Sequence, residues 1–254
     1  MRWQIFGFVA VFWLVAVGLY LAALGNTALL VLSMGILAVL LILVVVSGSF
    51  AIMPTHQSFY LAIATLPIFM FVQLTLVPRV TPLIEPLLAY LILAVTLLIY
   101  HQTTRVRVEA AGLRRNQIVV AIALAIPAGM GLAFANRLLL PEAPSIVPRY
   151  AGLAILVAAS SAFLDEYWFR GILQSRIEAT GGALAGWLAT AALFAAASTY
   201  RADFGVLAFR AGLGVFLGSL VWWRRLLPLT LAIRTATAVA LVILSGFSAN
   251  AVLP

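Results

Sequence analysis

Apolar residues run through this chain in long blocks, and polar residues gather in short breaks between them. Nine blocks stand out, near 3–24, 27–47, 58–78, 82–100, 117–137, 149–179, 182–199, 206–223 and 226–247. A helix needs about 20 such residues to cross some 30 Å of hydrocarbon, whereas barrel strands would show shorter, alternating segments. The pattern predicts an all-α, polytopic membrane bundle of about nine transmembrane helices. Turn-forming residues mark the breaks, at Gly25-Asn26, from Ser47-Gly48-Ser49 through Pro54-Thr55-His56, around Pro78-Arg79 and at Gly181-Gly182. The block at 149–179 is too long to be membrane alone. Its 31 residues would reach roughly 46 Å as a helix, so the end carrying Arg176 and Glu178 is expected to project beyond the bilayer.

Charge then orients the bundle. The segment 101–116 carries Arg105, Arg107, Arg114 and Arg115 against Glu109, and such a bias places a loop in the cytoplasm. Alternation from there puts Arg2, Arg170, Arg176, Arg224 and Arg225 on the same side and the proline-rich 141–148 loop outside. An N-in topology in a bacterial inner membrane is expected, with Met1-Arg2-Trp3 opening a retained first span. The same segment is the best internal boundary, dividing N-terminal helices and loop (1–116) from a core (117–254).

Composition agrees with the class. Hydrophobic residues make up 65% and charged residues 9% of the chain, against about a quarter charged in soluble domains, and mean hydropathy is +1.17. The net charge of +8 comes from arginine spread over many helix ends. A nucleic-acid footprint would concentrate it on one soluble face, so nucleic acid is excluded as a partner. With no cysteine and only His56 and His101, no zinc-type ligand set can be assembled, and no metal or other cofactor is expected. Both histidines read as interfacial side chains near helix ends.

The stretch Asp165-Glu166-Tyr167-Trp168-Phe169-Arg170-Gly171 breaks the apolar pattern most sharply. Ionisable groups at membrane depth are expensive and persist when paired, cavity-lining or reactive. Glu166 and Arg170 are four apart, with the acid on the N-terminal side, and share a helix face as an ion pair. Asp165 points about 100° away from Glu166, without that partner, as a candidate general base. Asp165 lies sixteen residues before Gly181 and Ser198 seventeen after it, so a hairpin turning there sets them at one height. Arg234, nine residues beyond Arg225, comes up to the Glu166–Arg170 level and would need an acid. The spacing therefore gathers Asp165, Glu166, Arg170, Ser198 and Arg234 at one interior site, with Glu166, Arg170 and Arg234 as an ion network.

These residues resemble the signature of the CPBP membrane proteases, the CAAX-processing and bacteriocin-processing group. Asp165-Glu166-x-x-x-Arg170-Gly171 is similar to the family's Glu-Glu-x-x-x-Arg. Phe194-Ala195-Ala196-Ala197-Ser198 follows its Phe-x-x-x-His, and Pro228 to Thr237 follows its proline-led third motif, the likeness covering about residues 149–240. The resemblance implies a CPBP-protease-like core in which the first acid and the second-motif His activate water. The third-motif His and Asn would hold the site together and stabilise the oxyanion. Here Asp165 stands for the first Glu, Ser198 for the second-motif His, Ile233 for the third-motif His and Thr237 for its Asn. A hydroxyl does not shuttle protons as imidazole does, and isoleucine donates no hydrogen bond.

Three functions follow in order. The first is a non-catalytic relative, a pseudoenzyme serving as scaffold, assembly factor or accessory subunit of a membrane complex. The second is an active intramembrane endopeptidase using Asp165 and Glu166. The third is a transporter or lipid-handling protein, which paired broken helices in two halves would mark; none is evident. Loops are short, so partners other than the lipid bilayer would be met through helix faces, such as the small residues Ala185, Ala189, Ala192 and Ala196. Trp222-Trp223-Arg224-Arg225 reads as an interfacial anchor, Glu85 as a helix-start carboxylate. Pro127 with Gly129 and Gly131 predicts a kink or a close helix contact.

Overall fold

A computed structural model describes residues 62–63, 84–104, 118–139, 150–197, 204–224 and 226–245, and the elements among them are all helical. They are α1 (Ile84–Thr104), α2 (Ile118–Leu139), α3 (Ala151–Gly181), α4 (Ala183–Ala196), α5 (Phe204–Arg224) and α6 (Leu227–Leu244). Each matches one of the last six apolar blocks within a few residues. The first two blocks, and all of the third except Ala62 and Ile63, lie outside the described residues. Among those described, α3, α6 and Ile118–Leu138 of α2 are long and apolar enough to cross a membrane. The apolar stretches of α1, α4 and α5 are shorter, at Tyr90–Gln102, Ala183–Ala195 and Ala208–Trp223. The protein is an integral membrane protein of the helical kind, and the count of nine spans goes beyond the described residues.

Side-chain size explains how α2 and α6 form the most extensive helix pair. Ala121, Ala125, Gly129 and Ala133 recur every fourth residue on one face of α2, and the three alanines are buried. The opposite face shows Val119, Ile122, Ile126, Met130 and Phe134, all exposed. In lipid, close packing of small residues holds helices together while large apolar side chains meet the acyl chains. Gly129 is the point of closest approach. A methyl added there would stand 2.6 Å from the Ala236 Cβ and 2.9 Å from the Thr237 backbone nitrogen. The helix continues through Pro127, and the close contact expected of this stretch is made by Gly129, whereas Gly131 meets no neighbour.

Helix α3 is the hub, packed against α1, α4 and α6. It is not uniform. Ala151–Glu166 is α-helical, Tyr167–Leu173 is π-helical, and Gln174–Gly181 is α-helical again. The Gln174 N–H bonds the Phe169 carbonyl, five residues back, where an α-helix would reach four. All seven residues of the π-helical stretch are buried, as expected of a helix enclosed on every side. Aromatic contacts fill the space around it. The Phe169 ring meets Trp168 at 4.6 Å and Phe194 of α4 edge-on at 5.1 Å.

The turn after α3 forms at Gly181-Gly182. Gly182 has φ +92°, a left-handed conformation in which a side chain would be strained, and its N–H caps the Glu178 carbonyl at 2.9 Å. From there α4 runs back along α3. Its packing face is Gly186, Thr190, Ala191 and Phe194, all buried. Ala192 is exposed and Ala185 and Ala189 are half-buried, so that small-residue stripe is turned away from the interior. Gly186 sets the register, because a methyl there would lie 3.0 Å from the Gln174 carbonyl oxygen and from the Glu178 nitrogen. Gly214 of α5 comes equally close to Ala191.

Candidate functional site

The acidic motif lies where the first α-helical stretch of α3 gives way to the π-helical one. Asp165 and Glu166 are the last residues before the change, and Arg170 lies inside it. All three are buried, Glu166 at 0%, Arg170 at 1% and Asp165 at 7% exposure. Arg170 Nε stands 3.7 Å from Glu166 Oε2, an ion pair too long for a hydrogen bond. The guanidinium is held from two further directions. Its Nη2 donates to the Gly214 carbonyl at 3.3 Å, and its Cζ lies 4.6 Å from the centre of the Phe194 ring, a cation–π contact strengthened by burial.

Asp165 has a partner the spacing did not reveal. The Tyr90 hydroxyl of α1 donates to its Oδ2 at 3.0 Å, across 75 residues of sequence. Arg234 rises from α6 into the same interior, 7% exposed. Its charge acts on Asp165 and Glu166, but among the described residues it makes no ion pair within 4.0 Å, and its Nε has no hydrogen-bond partner. A third guanidinium, Arg210 of α5, completes the group. It faces the Phe194 ring at 5.5 Å and acts on both acids and on Arg234. Three cations thus surround two carboxylates. Arg210 escaped the sequence reading, though an arginine inside the 206–223 block was the available signal.

The positions matching the other motifs behave differently. Ile233 is buried at 3% exposure and offers no polar atom. Thr237 is buried at 1% and spends its hydroxyl on its own helix, donating to the Ile233 carbonyl at 2.8 Å. Phe194, which opens the second motif, packs against the Arg170 guanidinium; Ser198, which closes it, lies outside the described residues. The structure therefore brings together Asp165, Glu166, Arg170, Arg210 and Arg234, with Ile233 and Thr237 closing the wall on α6.

The end of α1 makes a second polar link to α3. His101 Nε2 lies 2.7 Å from the Tyr167 hydroxyl, and Arg176 Nε donates to the Tyr100 hydroxyl at 3.0 Å. His101, read from sequence as an interfacial side chain, is half-buried and bonded to a residue of the motif stretch. His56 lies outside the described residues. Among those described, no three His, Cys, Asp or Glu side chains converge on a point that would suit a metal ion. Trp222 and Trp223 are exposed, and Trp222 stacks on Trp187 with ring centres 4.8 Å apart.

Chemically, this arrangement confines charge. Two acids share three guanidiniums and one phenol, in a setting where hydrolysis would need a base, a proton shuttle and an oxyanion donor acting together. A family model described as Rce1-like, type II CAAX prenyl endopeptidase Rce1-like, matches residues 148–239. No curated protein and no solved structure matches the chain. The chain thus carries a domain of the CPBP group over residues 148–239, the region in which the three motifs were found.

Proposed function

We propose that this CAAX-protease-like membrane protein works without peptide hydrolysis, as a scaffold, assembly factor or accessory subunit of a membrane complex. The observation that carries this reading is the pair of α6 positions, where an apolar Ile233 and a self-bonded Thr237 stand in place of the family's His and Asn. In such cooperating sets the loss of one member usually costs orders of magnitude in rate. Asp165 and Glu166 then serve as the anions that hold Arg170 and Arg234 in the bundle. The protein resides in a bacterial inner membrane with its N-terminus in the cytoplasm. Other membrane proteins meet it through helix faces.

One observation favours endopeptidase activity as the second reading. Neither carboxylate oxygen of Glu166 has a hydrogen-bond partner, so an acid is available beside Asp165. Cells lacking the gene, supplied with wild type, Asp165→Ala or Glu166→Ala, separate the two. Protein level and cleavage of candidate membrane substrates are scored together. On the scaffold reading any phenotype tracks the amount of protein, and Asp165→Asn restores function wherever it accumulates. A variant that accumulates normally while cleavage disappears makes the protein an enzyme. The topology has its own check. Cysteines introduced at Arg107 and Gly181 are expected to label from the cytoplasmic side, and labelling of either from outside overturns the map.

A further inference from the structure

Four side chains on α3 recur every fourth residue, Glu166, Arg170, Gln174 and Glu178. On a helix such residues stack along one face, about 6 Å apart, and this set descends roughly 18 Å from the buried acids to the end of the helix. The top three are at most 1% exposed, while Glu178 is half-buried. The lowest step is direct, since Gln174 Nε2 donates to Glu178 Oε1 at 3.1 Å and to the Gly218 carbonyl at 3.3 Å. Above it the groups fall just short of one another. Both Glu166 carboxylate oxygens, Arg170 Nε and Nη1, and Gln174 Oε1 are buried without a hydrogen-bond partner. They account for five of the seven such atoms among the described residues; the others are Thr190 Oγ1 and Arg234 Nε.

These atoms alternate in kind. An acceptor on Gln174 is followed by donors on Arg170 and by acceptors on Glu166, and a molecule that both accepts and donates would satisfy all of them in turn. Polar groups facing each other beyond about 3.5 Å are commonly bridged in this way by water, and buried polar groups without protein partners are its usual sites. The neighbouring helices leave room. Gly218 faces Gln174, with a hypothetical methyl 3.6 Å from Oε1, and Gly214 presents its carbonyl to Arg170. On α4, Thr190 stands one turn beyond Gly186, the residue seated against Gln174 and Glu178, so its orphan hydroxyl faces the same seam. Trp168, Phe169, Ile172, Leu173 and Ile177, none above 2% exposure, seal the other sides of α3.

We propose that this seam between α3, α4 and α5 is a water-binding path, by which water reaches Asp165 and Glu166 from the membrane face at Glu178. The path operates whether or not a peptide bond is cut, and it gives the buried acids exchange with one aqueous compartment only.

The absence of native cysteine makes the path testable with Ag⁺, a small ion that reacts with thiolates through narrow water-filled spaces. Thr190→Cys and Gln174→Cys place thiols on the seam; Leu173→Cys and Ile177→Cys place equally buried thiols off it. Each variant, in sealed vesicles, is exposed to Ag⁺ from the side at which Gly181→Cys reacts. Free thiol is then counted with maleimide after denaturation. Both seam cysteines are expected to react at least about tenfold faster than the two controls, because only hydrated sites support the thiolate. Adding Gln174→Leu is expected to slow Thr190→Cys to the control rate. Equal rates on and off the seam, or reaction of Thr190→Cys from the opposite side alone, would overturn the proposal. Unreactive controls in the same preparations show that the bundle is intact.

Discussion

Helices α3 and α6 both carry stretches that match family motifs, yet they have kept different things. On α3 the charges remain, and each is engaged: Glu166 with Arg170, Arg170 with Gly214 and Phe194, Asp165 with Tyr90. On α6 the matching positions are Ile233, without a polar atom to offer, and Thr237, folded back on its own carbonyl. Charged groups at bilayer depth are coupled to one another, so removing one strands the rest. A side chain whose only duty is to meet a substrate leaves no such debt when it is replaced. The contrast teaches that an ionic motif can outlast the chemistry it once accompanied.

The comparison breaks first at the ion pair. Glu166→Gln or Arg170→Met alone is expected to cost about 3–5 kcal/mol, since the remaining buried charge loses its partner. Glu166→Gln with Arg170→Met is expected to cost clearly less than the sum. Thermal unfolding in detergent reads all three, and a double mutant at least as damaged as the summed singles would remove the ion pair from the account. Next comes the Tyr90 bond to Asp165. Tyr90→Phe leaves a buried carboxylate without its hydroxyl donor and is expected to cost about 1.5–3 kcal/mol; a silent Tyr90→Phe would detach α1 from the site.

On the α6 side, Gly129→Ala tests packing rather than charge. The added methyl meets the Ala236 Cβ and the Thr237 backbone, and overpacking of this kind costs about 1–3 kcal/mol. Should α2 and α6 accept it without loss, their close approach is not what holds them. The smallest change is expected from Thr237→Val, which gives up a hydroxyl bonded only within its own helix and should cost under about 1 kcal/mol. A loss of function at normal protein level from that substitution would show that Thr237 acts on a substrate or partner, and the contrast with α3 would fall.

Much of the helical frame was legible because lipid imposes length. Blocks of apolar residues with glycine and proline breaks located α1 to α6, and even the 31-residue reach of α3. The acids and Arg170 were legible because charge is rare in such blocks. Tyr90 was not, since a tyrosine in an apolar run looks like any interfacial aromatic until a helix 75 residues away presents its carboxylate. Arg210 was passed over as one more positive residue, although its depth in the block set it apart. The small-residue face was assigned to α4, whereas the tighter stripe was on α2, at Ala121, Ala125, Gly129 and Ala133. Alanine is common in every apolar block, and only a facing backbone shows which alanines are needed. The change to π-helix had no sequence mark at all, because it arises from what surrounds Tyr167–Leu173 on all sides.

That widened stretch also sets the phase of everything after it. Two lengths of ordinary helix are spliced through seven residues wound more loosely, so the azimuth of Gln174 and Glu178 depends on how much slack the splice takes up. Deleting a single residue there would let the winding tighten, turning the lower length by about 100° against the upper one. Glu166 would keep its place while Gln174 swung away from Gly218. The loose winding is therefore the one point on α3 where the two ends of the molecule can be clocked independently, with no hinge and no break in the rod.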